Sequence, residues 1–424
     1  MKILYRKKIF YGWYIVGALF IANFLMQGGV RNGYGIFVET WEKEFVASTA
    51  SISLAASIGW LINGLSQPIL GRLADIYGGK IVALISLIVL AIGGMGIALA
   101  NGVIYLIISY GVVISIASAG LSPATVGVVI VRWFNKRRGT ALSILAAGGS
   151  AGGLICVPLM AYLMLIYNWR VAWVAIAILG LFSVPIIWIL VKNHPRELNM
   201  KADGENIENS NDSDSNKINK GVLFVEDWKD SLKSWPIWQL SAGYFVCGIT
   251  TSSMGVHYIR WAVSEDVSTN TAALAFGILS AVNVISVIIV GIYADKLERR
   301  KMLGWVYLVR GFAFVTLIIF PGYQAVWIFA LLGGMSWLAT VPLTSSLTAD
   351  IYGVKNLGVL FGLATLSHQI GGALATYLFG YAFDLYGDYN IPFLIGAITL
   401  LGAGIVSFAI KEKKFSLRYV TNTI

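Results

Sequence analysis

The sequence predicts an all-α integral membrane protein of 12 transmembrane helices in two six-helix pseudo-repeats. Three observations carry that expectation. Only 12% of the 424 residues are charged, about half the share of an ordinary soluble protein, and mean hydropathy is +0.75. Twelve apolar runs are each close to the ~20 residues needed to cross a bilayer. The chain also repeats itself. Gly71-Arg72-Leu73-Ala74-Asp75 returns as Gly291-Ile292-Tyr293-Ala294-Asp295 at an offset of 220, and Arg138-Gly139 with Gly152-Gly153 returns as Leu357-Gly358 with Gly371-Gly372 at an offset of 219. Two same-direction halves imply bundles that rock about a site between them.

The predicted spans are 12–37, 51–71, 81–100, 103–131, 140–166 and 171–191, then 236–261, 272–294, 302–320, 324–347, 358–383 and 391–410. Residues 1–191 form an N-terminal six-helix bundle and residues 236–424 a C-terminal one. Residues 192–235 bridge them as a cytoplasmic linker. Its middle, Asp203 to Gly221, is so rich in Asn, Ser and Asp that it cannot bury a core and is expected to be disordered. Phe224 to Leu232 regains apolar residues and is expected to lie along the membrane surface. Lys2, Arg6, Lys7 and Lys8 precede a first run too long for a cleavable signal, which predicts a retained anchor.

Charge sets the orientation. The net charge is +10. With the N-terminus inside, all Lys and Arg except Arg31, Lys43, Arg170, Arg260 and Arg310 fall on inner segments, while outer loops carry Glu39, Glu42, Glu44, Glu265, Asp266, Asp384 and Asp388. This positive-inside pattern predicts a multi-pass cell-membrane protein with both termini cytoplasmic. The basic surplus is topological, so lipid headgroups rather than nucleic acid are the expected contact. Cys156 and Cys247 have no Cys or His neighbour at metal spacing and are read as small buried hydrophobes. No cofactor or metal is expected.

Gly71 to Lys80, with Asp75 and Arg72, resembles the loop between helices 2 and 3 of the major facilitator superfamily, and Asp295 to Lys301, with Arg299, resembles its partner between helices 8 and 9. The resemblance implies a latch between the halves on the cytoplasmic side. Ile76 and Gly79 stand where that loop is often basic, so the first latch is expected to be the weaker, resting on Asp75, Arg72 and Lys80. Tyr11-Gly12-Trp13, Arg132 to Gly139, Asn168-Trp169-Arg170, His257 with Ala272-Ala273, and Asp384 to Tyr389 resemble the monocarboxylate-transporter and oxalate/formate-exchanger branch.

Ionisable groups within a bilayer are costly and mark candidate sites. The first span places Asn23, Gln27 and Arg31 at i, i+4 and i+8, with Tyr34 three further on, as one polar stripe. Arg31 offers a planar, permanent cation suited to a carboxylate, and resembles in place a lysine of the animal monocarboxylate transporters. The seventh span lines up Thr250, Ser253, His257 and Arg260; His257 resembles the branch's substrate-site histidine. Arg260 sits nearer the outer rim, within reach of Glu265 or Asp266. The eighth span keeps the branch's Asn as Asn283, but Val287 stands where its carboxylate-gripping Arg falls. The eleventh carries His368. Arg310, on an outer helix, is expected to snorkel. Trp60 and Trp337 are expected to wall a cavity. Ser115, Ser118 and Ser122, like Ser336, Thr340 and Thr344, fit helix packing better than ligation.

The expected function is secondary transport of a small organic anion by alternating access, as proton symport or anion exchange, by a monomer. A proton could ride only on His257 or His368. The alternative, favoured by Val287, is a transporter or exporter of a neutral or amphipathic metabolite or drug. An enzyme is not expected: the chain holds no Ser/His/Asp order, zinc spacing, phosphate loop or membrane carboxylate pair.

Overall fold

The computed structural model describes residues 9–47, 49–203, 221–223 and 225–410. Twelve helical rods follow the predicted spans. The first, α1, runs through Gly12–Asn23, a π-helical stretch Phe24–Arg31 and Asn32–Phe45. Then come α2 (Thr49–Tyr77), α3 (Gly79–Ala98), α4 (Val103–Leu106 to Pro123–Trp133), α5 (Arg138–Ile166) and α6 (Trp169–Leu190). The second half holds α7 (Trp235–Ser264), α8 (Thr269–Ala294), α9 (Arg299–Ile319), α10 (Gly322–Ser336 and Thr340–Tyr352), α11 (Leu357–Tyr386) and α12 (Asn390–Ala409). Among the described residues, ten helices are long and apolar enough to cross a membrane. The other two rods, α2 and α7, are diluted by polar residues such as Asn63, Gln67, Thr251 and Ser252, and these face the space between the halves.

Neighbour relations obey the repeat. In the first half α1 packs on α5, α2 on α4 and α3 on α6; in the second, α7 packs on α11, α8 on α10 and α9 on α12. The halves meet along two equivalent seams, α2 with α11 and α5 with α8. Both seams depend on glycine. A Cβ on Gly139 would stand 2.9 Å from the Gly291 carbonyl oxygen, and one on Gly358 would stand 2.9 Å from Asp75 Oδ1. Only bare backbones approach so closely.

Two rods are interrupted. Pro123 starts the last part of α4 after a break at Leu121-Ser122, and α10 turns at Trp337 to Ala339 before resuming at Thr340. Each break leaves helix carbonyls without intrahelical donors. The linker's described ends lie on the basic end of the bundles. Asp203 accepts from the backbone N–H groups of Asn135, Lys136 and Arg137, while Val222 and Leu223 donate to the Asp350 and Ile351 carbonyls. The stretch expected to be disordered, Asp203 to Gly221, is placed at its two ends, Asp203 and Gly221; residues 204–220 lie outside the described residues. Phe224 also lies outside them; beyond it, Val225 and Glu226 accept from Asn356 Nδ2 beside the α10–α11 turn.

Candidate functional site

At the basic end the halves are tied by two carboxylates, each capping a helix of the opposite half. Asp75, at the foot of α2, accepts from Gly358 N at 2.8 Å and Val359 N at 3.0 Å, the first turn of α11. Asp295, at the foot of α8, accepts from Gly139 N at 2.6 Å, Thr140 N at 2.9 Å and Thr140 Oγ1 at 2.7 Å, the first turn of α5. A carboxylate at a helix N-terminus meets orphan N–H groups and the positive end of the helix dipole. Around Asp295, Arg299 Nη2 lies 3.4 Å from Oδ1, and Arg299 also pairs with Asp350, which Arg138 reaches at 2.8 Å from the first half. Around Asp75, Arg72 Nη1 donates across the halves to neutral Asn356, at 2.9 Å. Lys80 turns to the Trp188 ring of its own half, 5.0 Å away; the expectation that it braces the first latch is corrected.

Above this seal lies a cavity of about 760 Å³ between the halves. Its floor is an amide cluster. Asn63 Oδ1 accepts from Gln369 Nε2 at 2.7 Å, across the halves, and from Gln67 Nε2 at 3.3 Å; Ser122 Oγ donates to Gln67 Oε1 at 2.8 Å. The lining continues toward the opposite end through Gly35, Pro158, Val256 and Ala273. Its walls include Trp60 and Trp337, as expected. Among the described residues no Asp or Glu lines it.

The stripe on α1 faces this cavity: Asn23, Gln27, Arg31 and Tyr34 all line it. The π-helical turn carries Gln27 and Arg31, where Gly28 abuts the Gly152-Gly153 backbone. Such widened turns recur at functional sites. The Arg31 guanidinium lies 4.0 Å from the Trp60 ring centroid, a cation–π contact that leaves its donor edges for a ligand. Tyr34 is half committed: its hydroxyl donates to the Ile52 carbonyl at 2.7 Å, and its ring faces Tyr110. On the opposite wall, His368 sits with Nε2 3.3 Å from Thr251 Oγ1 and its ring 5.0 Å from that of Tyr244.

Three expected site residues lie elsewhere. His257 is 6% exposed and outside the cavity lining; its ring is held between Tyr389 Oη at 3.1 Å and the Thr376 carbonyl at 2.9 Å. The polar face of α7 turns toward α11 and α12 at this height. Asn283 is fully buried, donating to the Gly334 carbonyl at 3.0 Å and accepting from Ser150 Oγ at 2.8 Å, so it ties α8 to α10 and α5. Arg260 is exposed, its guanidinium 4.7 Å from the Phe383 ring. Val287 packs on Ala146 and Ala147 in the α5–α8 seam. Arg310 does the reverse of snorkelling. It is 0% exposed, donating to Cys247 Sγ at 3.0 Å, to the Trp337 carbonyl at 2.6 Å and to the Ser336 carbonyl, the acceptors freed by the α10 break. Its inward aim has no signal in the pattern of α9. Asp350, which ends the tenth apolar run, and the amide floor were likewise not singled out by sequence.

Two inverted-capping latches, two equivalent seams and a central cleft define a two-bundle membrane transporter. The chain belongs to the Major Facilitator Superfamily, whose profile matches residues 19–375 and 240–419. It is 25% identical over 402 residues to the "Uncharacterized MFS-type transporter YcxA" of Bacillus subtilis, covering 93% of both chains. It is 23% identical to "Monocarboxylate transporter 13" of Rattus norvegicus, covering 93% of this chain and 88% of the relative. Among solved structures, the proton:xylose symporter XylE superposes with a TM-score of 0.75 at 15% identity, covering 96% and 98%. The human organic anion transporter MFSD10 gives 0.70 at 14% identity, covering 93% and 99%. The structural likenesses show the fold, and membership of the family makes the chain a membrane transporter rather than an enzyme.

Proposed function

We propose that this protein is a secondary active transporter of a small organic anion, working by alternating access across the cell membrane. The observation that carries the reading is the charge of the cavity: it displays Arg31 and no acidic side chain among the described residues. In a low-dielectric cleft one such cation dominates the local field. Arg31 binds the carboxylate edge-on while Trp60 fixes its plane. Gln27, Tyr34 and His368 offer the remaining polar contacts. The basic end faces the cytoplasm, so the latched conformer is open to the outside. The bundles 1–191 and 236–424 move as bodies about the seams, with 192–235 as their tether, in a monomer.

The second reading is a neutral or amphipathic substrate. It rests on Val287, whose apolar side chain fills the seam where the branch's arginine would stand, and on the aromatic lining of Trp60, Tyr110, Tyr244, Phe276, Trp337 and Phe361. A thermal-shift panel on purified protein separates the two. Ligand present at a hundred times its dissociation constant stabilises the folded state by about 2.7 kcal/mol. Carboxylates that raise the melting temperature of wild type but not of Arg31→Gln support the anion reading. Stabilisation by neutral compounds alone overturns it.

A further inference from the structure

Arg310 is a permanent cation placed in the apolar interior, with no carboxylate paired to it among the described residues. Its hydrogen-bond acceptors are two backbone carbonyls and one side chain, Cys247 Sγ at 3.0 Å, and its Nε is unpartnered. A buried charge left uncompensated is costly. Among these three acceptors only the thiol can supply a negative charge. Cys247 also touches Thr340 Oγ1 at 3.2 Å, and Thr251 Oγ1, which donates to the Cys247 carbonyl at 2.7 Å, lies 3.3 Å from His368 Nε2 and links the two. Cys247, Thr340 and His368 all line the cavity, whereas Arg310 sits behind them. The other titratable groups facing the thiol are Tyr244 on its own helix and Tyr307 on α9, both neutral phenols at ordinary pH.

We propose that Cys247 and His368 form a proton-carrying pair, with Arg310 as the fixed cation that the thiolate compensates. The proposal rests on the anion reading for its role in transport, and on its own geometry for its chemistry. In the empty protein the thiolate balances Arg310. A proton from the outer solution reaches the pair through the cavity, an O–H bond of a hydronium ion breaking as the S–H bond of Cys247 forms and water leaves. The Arg310 charge is then uncompensated and raises the affinity of the cavity for one anion. Release of the anion and of that proton to the other side restores the thiolate. His257 takes no part, being walled off by Tyr389 and Thr376.

The test follows modification of Cys247 by methyl methanethiosulfonate in a Cys156→Ala background. Only the thiolate reacts, and an ordinary thiol loses about tenfold in rate per pH unit below its titration range. The pair predicts wild-type rates at pH 7 and pH 9 within about twofold of each other. Arg310→Gln should steepen this to at least about tenfold. Arg310→Lys, which keeps the charge, should stay shallow, so the comparison survives if the glutamine variant does not fold. A steep wild-type profile overturns the proposal by itself, as does a shallow one that Arg310→Gln leaves unchanged in folded protein. The readout needs no substrate. Failure of every carboxylate to stabilise the protein would therefore count against the anion reading while the thiol profile still decides the pair.

Discussion

The two latches occupy equivalent places in the repeat yet differ in strength. Asp75 and Asp295 are 220 residues apart, and each caps the first turn of the helix that starts a seam, α11 or α5. Asp295 accepts one hydrogen bond more, from Thr140 Oγ1, where the first latch has Val359 and no hydroxyl. It also has Arg299 within 3.4 Å, and Asp350 gathers Arg299 and Arg138 beside it. At the first latch Arg72 bonds instead to the neutral amide of Asn356, and Arg132 donates to the Asp75 backbone carbonyl rather than to its carboxylate. The two latches thus share the backbone cap, while the guanidinium–carboxylate contacts gather at the α5–α8 seam. During opening, the α2–α11 seam should yield before the α5–α8 seam.

That order can be broken deliberately. The largest effect is expected at Asp350→Ala, which strands Arg138 and leaves Arg299 only its longer contact with Asp295, both guanidinium groups being largely buried. Removing one partner of a buried pair costs about 3–5 kcal/mol. A reporter cysteine at Ser143, sealed under Gly291, should become reactive toward a bulky reagent applied from the basic end. Asp295→Asn is next, and Asp75→Asn should open the seal less, since fewer charge-assisted bonds of about 1.5–3 kcal/mol are lost. Equal exposure of the reporter in both variants would erase the claimed asymmetry. Gly358→Ala sharpens the comparison from the backbone side. Its Cβ would crowd Gly71 and Asp75, so it should weaken the first seam and leave the Asp295 latch intact.

The smallest effect lies at the opposite end. Glu44 receives hydrogen bonds from Trp169 Nε1 and, at 2.6 Å, from Arg170 Nη1. Partial burial pushes its carboxyl up, but the Trp169 and Arg170 contacts outweigh burial and hold it below its ordinary value. A depressed carboxylate stabilises the fold above its unfolded value near 4.5 and stops doing so as pH falls through the folded value. The pair is solvent-exposed, so Glu44→Gln should cost under about 1 kcal/mol, visible as a small drop in melting temperature at pH 7 that vanishes toward pH 3. A drop of the same size at both pH values would assign the effect to packing.

The sequence carried the architecture because the bilayer makes apolar run length decisive, and because the repeat survives at glycines and carboxylates whose backbone contacts tolerate no substitute. Arg31 was legible for a similar reason: a polar stripe on an apolar helix must face polar surroundings, and Asn23, Gln27 and Tyr34 marked that face. His257 shows where periodicity stops. Its spacing with Thr250 and Ser253 defines a face of α7 but not what covers it, and at that level α11 and α12 cover it. Arg310 was misplaced because snorkelling and burial look alike in one dimension; only the break in α10, with its freed carbonyls, shows what the guanidinium serves. Cys247 was legible as buried, and its cationic neighbour was not.

Transport as proposed requires an anion to enter the cavity at Arg31. The direct measurement is saturable uptake, in liposomes of purified protein, of the carboxylate that best raises the melting temperature. Wild type and Arg260→Gln, altered outside the cavity, should transport alike, whereas Arg31→Gln should lose at least about tenfold in kcat/KM, since a charge-assisted contact is worth about 1.5–3 kcal/mol. Undiminished uptake by Arg31→Gln, folded and inserted, would contradict it.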